Sequence, residues 1–353
     1  MTNRILALGA VAASTLLAQT AVMAQAAPSG NVTIYGLYDV AVRRATNTNA
    51  ARDSNITMED GIFTGTRWGL RGTEDLGGGL RAVFNIEAGF HPGTGQHLQG
   101  TTTADYGQEA VTNRMWGREA WVGLRGAWGG VQLGRQYTVA HTLAARFQPQ
   151  GNANNTALSV FSSHHIARQD NVVRYDQKFG DVELLASYTV GGQASTSANS
   201  ATAIGVGYSA GSLSLAAYLQ QMNNRAGTEK RKIVGLGGNY KLNPTVALFG
   251  GVMQRSAEVS VQENKVWTLG TNIELSPAST LSLAYFDDSQ SGSAALEGSR
   301  KVAWATVNYR FSRRTDIYAV VDRNEVEGGY ARPAFLGTLG SQTAFSVGLR
   351  HRF

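Results

Sequence analysis

The chain contains no cysteine, which excludes a disulfide framework, thiolate metal sites and a cysteine nucleophile. Proline is scarce, with 6 in 353 residues, and none falls inside the segments read below as strands. Charged residues make up only 16%, against about 25% in an ordinary soluble domain. Lysine plus arginine (31) barely exceeds aspartate plus glutamate (25), so no global basic field marks a nucleic-acid partner. Beyond the N-terminus no apolar run approaches the roughly 20 residues of a membrane helix. Catalytic patterns are missing too. There is no H-E-x-x-H pair. His164 and His165 are adjacent, so their side chains diverge, and Gly77-Gly78-Gly79 joins two strand-like segments rather than a strand and a helix. The expectation is therefore a protein that is not an enzyme and uses no cofactor or metal.

What is present begins with an export signal. Arg4 supplies a positive start, Ile5 to Ala18 an apolar stretch, and small residues follow. Residues 1–26 read as a signal peptide cleaved after Ala24 or Ala26, leaving 27–353 as one unit that works outside the cytoplasm.

After Asn31 the pattern has period two. Val32, Ile34, Gly36, Tyr38, Val40 and Val42 share one face, while Thr33, Tyr35, Asp39 and Arg43 share the other. Alternation over about ten residues is the mark of a transmembrane β-strand. Sixteen such segments can be counted to the C-terminus. Their connections alternate between short turns, such as 76–78, 127–129 and 312–314, and long polar loops, such as 45–62, 91–113 and 138–166. Aromatics gather near segment ends, and the chain stops on Phe353 in mid-strand. These features predict an all-β fold, a 16-stranded antiparallel transmembrane barrel closed by its last strand against its first.

The segments Asn31–Gly36, Thr66–Leu80, Gly117–Leu124 and Gln132–Tyr137, with the terminal Phe353, resemble the general trimeric porins of Gram-negative bacteria in their betaproteobacterial form. The resemblance covers the whole mature chain. It implies an outer-membrane location, a homotrimer and a water-filled pore for small hydrophilic solutes and inorganic ions. It also implies a third long loop that folds inward to constrict that pore. Carried over by position, Arg67 and Arg118 match the arginines of the pore wall, and Arg168 matches less closely. Arg71, Asp39 and Arg146 join them as candidate constriction residues, and Arg135 matches a trimer-contact arginine that a neighbour's second loop can engage. In one respect the chain departs from the family. Its expected third loop, 138–166, holds no aspartate or glutamate, so the acidic half of the usual transverse field is missing unless Asp39, Glu87, Asp105 or Glu109 supplies it. An arginine-lined constriction without that half favours anions. The alternatives are a channel with a true anion- or phosphate-binding site and a closed-lumen structural or enzymatic barrel.

Overall fold

The computed structural model describes residues 30–194 and 197–353; the expected signal peptide and its cleavage sites lie outside the described residues. One continuous sheet runs through β1 (Asn31–Ala45), β2 (Asn55–Asp60), β3 (Arg67–Gly77), β4 (Leu80–Phe90), β5 (His97–Leu98), β6 (Glu119–Gly126), β7 (Gly129–Tyr137), β8 (Arg168–Phe179) and β9 (Val182–Thr189). It continues through β10 (Ala201–Ala210), β11 (Leu213–Asn223), β12 (Lys230–Lys241), β13 (Val246–Ala257), β14 (Glu263–Ser276), β15 (Ser279–Ser291), β16 (Gly298–Arg310), β17 (Thr315–Gly328) and β18 (Ser341–Arg352). β2 and β3 are two halves of one stave, both paired with β1, and the two-residue β5 only fringes β4. That leaves sixteen staves, as the alternation implies. β18 returns to β1 with Val347 opposite Val42. Gly36 and Phe353 exchange both backbone hydrogen bonds at 3.1 Å. Closure removes the free edges that an open sheet would expose to lipid.

The period of two sorts side chains by solvent. Val234 and Leu236 of β12, Leu269 of β14 and Val347 and Leu349 of β18 point outward and are exposed, while their neighbours Ile233, Val266 and Ser346 point inward and are buried. An apolar outside is what a barrel in hydrocarbon requires. Near the short turns the outward positions turn aromatic, at Trp128, Phe179, Tyr240, Tyr309 and Phe311.

The lumen is filled from one side. Residues 138–167 enter it as a helix Val139–Ala144, capped at its start by Thr138, which accepts from His141 N. A 3-10 turn Ala145–Phe147 and a second helix Phe161–His165 follow. Leu143, Phe147, Leu158 and Phe161 are fully buried against inward residues of β11–β17, including Tyr218, Ile233, Phe286 and Trp304. Phe147 reaches the wall because Gly237 and Gly251 lie beneath it. A Cβ at either would stand 2.9 or 2.7 Å from the ring. Wall side chains then clamp the loop backbone: Trp304 Nε1 donates to Leu158 O at 2.9 Å, Asn324 to Ala157 O at 2.8 Å and Gln220 to His165 O at 2.8 Å.

The second stave differs from its expected form. The pattern predicts a loop over 45–62 and a strand from 63. Instead β2 starts at Asn55, and residues 61–66 leave the wall and turn into the lumen. Ile62 and Phe63 are buried there, Phe63 edge-on to Trp304 and Tyr318. Gly61 adopts φ +35°, and Asp60 Oδ1 accepts from Thr66 N at 2.7 Å to close the excursion.

Candidate functional site

With its inner loop packed against β10–β17, the barrel leaves a passage along the opposite wall, β1–β8. Its narrow part is a cavity of about 230 Å³, lined on the wall side by Arg67, Arg118, Tyr137 and Arg168 and on the loop side by His141, Asn152, Asn154 and Ser162. Thr64 and Gly65 of the inward excursion complete the rim. Toward the short turns it gives way to a wider cavity of about 560 Å³ with Tyr35, Arg71, Glu119 and Arg125. Toward the long loops Glu59, Asp60 and His91 line a third cavity.

Three of the sequence-matched arginines meet in the narrow part. Arg67 opens β3, inward as its parity requires, and its side chain is 25% exposed. Arg118 shares the parity of outward Val122 and Leu124, yet it points inward, because it precedes the first residue of β6 and is not bound by that alternation. Arg118 is almost wholly buried: Nε donates to Glu87 at 2.5 Å and Nη2 to the Tyr137 hydroxyl at 2.6 Å. Arg168 opens β8, donates to the same hydroxyl and lies over the Tyr137 ring, 4.2 Å from its centroid. Glu87, on β4, also faces Arg67 at 3.4 Å. The acidic partner therefore comes from the wall, and the loop contributes only neutral groups. Asp105 and Glu109, the other possible suppliers, lie on the second long loop.

The other expected residues lie elsewhere. Asp39 is inward but fully buried. It accepts from the Tyr318 hydroxyl at 2.7 Å and from Thr64 N at 3.3 Å, so it anchors the inward excursion and does not face the pore. Arg71 lies in the wider cavity, over the ring of Tyr35. Arg146 is on the far side of the loop, where the turn aims it at Glu183 of β9, its ion-pair partner. Arg135 is tied inside its own subunit, donating to Gly117 O at 2.8 Å and Asp170 at 2.9 Å. Asp170 in turn accepts from Arg114 and from Glu109 N. The second loop folds back over its own mouth, with Tyr106 stacked under Arg231 at 3.8 Å. Neither Arg135 nor this loop is free to engage a neighbour as it stands.

Two histidines of the inner loop complete the floor. His141 stacks on Tyr137, and its Nδ1 lies 3.1 Å from His165 Nε2. Burial, with the adjacent His164 adding to it, holds His165 down to about 3. Burial also holds His141 well below the ordinary histidine range, helped by His165 and the arginines nearby. At neutral pH the pair is an uncharged hydrogen bond. Tyr137 and the two loop asparagines are site residues that sequence spacing did not single out, whereas Glu87 is one of the four possible acidic suppliers named from the sequence.

Comparison with known proteins agrees with this architecture. The family model for Gram-negative porins matches residues 10–329. The chain is 30% identical to an outer membrane porin protein of Bordetella pertussis, covering 97% of this chain and 98% of that one. It is 27% identical to outer membrane porin protein 32 of Delftia acidovorans over 97% and 99%. Among solved structures, an anion-selective porin from Comamonas acidovorans superposes with a TM-score of 0.77 at 22% identity, covering 92% of this chain and all of the other. The trimer form of OmpT from Vibrio cholerae gives 0.67 at 14% identity, over 92% and 99%.

Proposed function

Since the chain belongs to the Gram-negative porin family, and is therefore an outer-membrane channel for passive diffusion rather than an enzyme, we propose that its constriction favours anions. The observation that carries this reading is the charge around the narrow cavity. Arg67, Arg118 and Arg168 line it, Glu87 of the wall offsets them, and the inner-loop side chains that line it, His141, Asn152, Asn154 and Ser162, add no carboxylate. At an effective dielectric of about 20, a unit charge 4 Å from a passing ion contributes roughly 4 kcal/mol before screening. Physiological salt screens with a Debye length of about 8 Å, which leaves a bias on the ion without a block. Small inorganic and organic anions, chloride and phosphate among them, are the favoured solutes. The solved Comamonas porin that shares this fold is described as anion-selective, which supports the reading.

The test is the zero-current potential across a KCl gradient in a planar bilayer, repeated with Arg67→Ala and Arg118→Ala. Chloride preference in the parent and a shift toward zero in Arg67→Ala, the more exposed of the two, are expected. Cation preference in the parent, or no shift in either variant, refutes the proposal.

The working unit we take to be a homotrimer. Support comes from the family and from the trimeric form of a structural relative, not from Arg135, which is engaged within its own barrel. Protein extracted in mild detergent should migrate as an oligomer that falls to a monomer on boiling. A monodisperse monomer before heating refutes this assignment.

A further inference from the structure

Trp304 and Trp121 both point into the lumen, and the fold treats them differently. Trp304 is buried under the inner loop, and its Nε1 donates to Leu158 O at 2.9 Å. Trp121 alternates on β6 with outward Val122 and Leu124, so its indole enters the wider cavity on the short-turn side of the constriction. The inward positions beside it, Gly123 two residues on and Gly134 directly opposite on β7, carry no side chain that could cover it. Among the described residues its ring has no aromatic partner and its Nε1 hydrogen no acceptor. A tryptophan kept for packing is covered and gives its N–H to an acceptor. Trp121 leaves both to the water-filled cavity.

The same row of the wall holds an unspent cation. The ladder register runs Thr33, Arg71, Asn85, Trp121 across β1, β3, β4 and β6. Arg71 is exposed, its Cζ lies 5.1 Å from the centre of the Tyr35 ring, and it has no carboxylate partner or hydrogen bond among the described residues. Arg125, in the same cavity, is spent on Asp176 through two bonds of 2.8 Å. Between Arg71 and Trp121 stands Asn85, short and tied at both ends. It accepts from the Tyr35 hydroxyl at 2.8 Å and donates to Glu119 at 2.6 Å. With strands about 4.8 Å apart, the backbones of Arg71 and Trp121 are roughly 10 Å apart. Two long side chains thus flank a low, satisfied one and leave a trough.

We propose that this trough binds aromatic monocarboxylates as they leave the constriction, with the ring on the Trp121 indole and the carboxylate on the Arg71 guanidinium. Offset stacking suits a flat ring on an uncovered indole. The guanidinium fork meets a carboxylate through two parallel hydrogen bonds. Glu119 sets the orientation and the charge of the ligand. It stands two residues before Trp121 on the constriction side, so it repels a carboxylate placed there and disfavours a second one on the ring. An inorganic anion would use Arg71 and leave the indole idle. A sugar needs free amides around the ring plane, whereas Asn85 is engaged at both ends and Gln132 donates to Asp176. The trough faces a cavity of about 560 Å³, so a bound solute stays in contact with water and leaves readily, as conduction requires. The proposal rests on the channel reading above and names a class of solute for it, at a place separate from the three arginines of the constriction.

The test is single-channel recording of the intact mature protein in a planar bilayer, in KCl, with naphthoate as the probe. Naphthoate should lower the current in a saturable way. Its half-saturating concentration should rise at least about tenfold in Trp121→Ala and in Arg71→Gln. Trp121→Phe, which keeps a ring, should stay within about threefold of the parent. Naphthylmethanol keeps the ring without the charge, acetate keeps the charge without the ring, and neither should saturate over the same range. Half-saturation unmoved in both Trp121→Ala and Arg71→Gln overturns the proposal. So does an effect lost only in Arg71→Gln, which would make this a general anion site. Saturation by glucose that depends on Trp121 would make it a sugar site and overturns it as well. The charge preference of the constriction fails separately, by potassium preference in KCl without naphthoate, and the half-saturating concentrations alone decide the trough.

Discussion

Arg118 gives its Nε hydrogen to Glu87 at 2.5 Å across the β4–β6 seam, so a buried cation of the constriction is held by a wall carboxylate in direct hydrogen-bond contact. Replacing that carboxylate has a defined sign. Glu87→Gln removes the negative charge and keeps the shape, so the anion-to-cation permeability ratio should rise severalfold, read as a larger zero-current potential in a KCl gradient. Arg118 keeps the Tyr137 hydroxyl, and the loss of its charged partner should cost about 1–3 kcal/mol of stability.

Gly65 faces the same arginine. A methyl group there would stand 2.8 Å from Arg118 Nη1 and 2.7 Å from Asn154 Oδ1. Gly65→Ala should therefore push both side chains into the passage. Single-channel conductance should fall while the thermal unfolding temperature changes little, because the displaced atoms are side-chain ends rather than backbone.

Phe147 tests the other side. It is fully buried over Gly237 and Gly251, and Phe147→Ala should cost roughly 3–5 kcal/mol, as large core truncations do. With its anchor gone the inner loop should loosen, and conductance should rise and become noisier in bilayer recordings.

Acid should weaken the inner loop through its histidines. His165 sits at about 3 in the folded barrel, against about 6.5 in an unfolded chain. Between those values the unfolded chain takes up a proton that the folded one refuses. Stability is then complete above pH 6.5 and is lost progressively as pH falls toward 3. Melting followed by heat-modifiable gel migration at pH 7 and pH 4 should show the drop, and His165→Phe should flatten it.

The staves were readable because water inside and lipid outside leave an alternation that no other environment imposes so consistently. Loop boundaries such as 138–166 followed from where the alternation stopped. Residues 61–66 were missed because the segment is too short to carry a period. Its signal is local, two apolar residues, Ile62 and Phe63, between Gly61 and Gly65 at the join of the expected loop and the expected strand. Asp39 was assigned to the pore on parity alone. Parity gives the side of the wall but not what lies over it, and here Tyr318 and Thr64 cover the carboxylate. Glu87 and Arg118 belong to neighbouring staves thirty-one positions apart, and a sequence pattern along one strand carries no information about its neighbour. Arg146 was placed by loop membership, whereas the turn at Ala145–Phe147 directs it to the opposite wall.

The inward excursion also reaches across to the inner loop. Asn154 N donates to Phe63 O at 3.1 Å and Asn155 N to Ile62 O at 3.0 Å. The inner loop is thus a crossbeam seated at both ends, on the β10–β17 wall and on the second stave, and not a cantilever with a free tip. A cantilever flickers, and each excursion of its tip changes the current. A beam fixed at two ends has no such soft mode, so the open channel should hold one steady current level, and a closing transition must first break the hydrogen bonds that Asn154 and Asn155 make to the second stave.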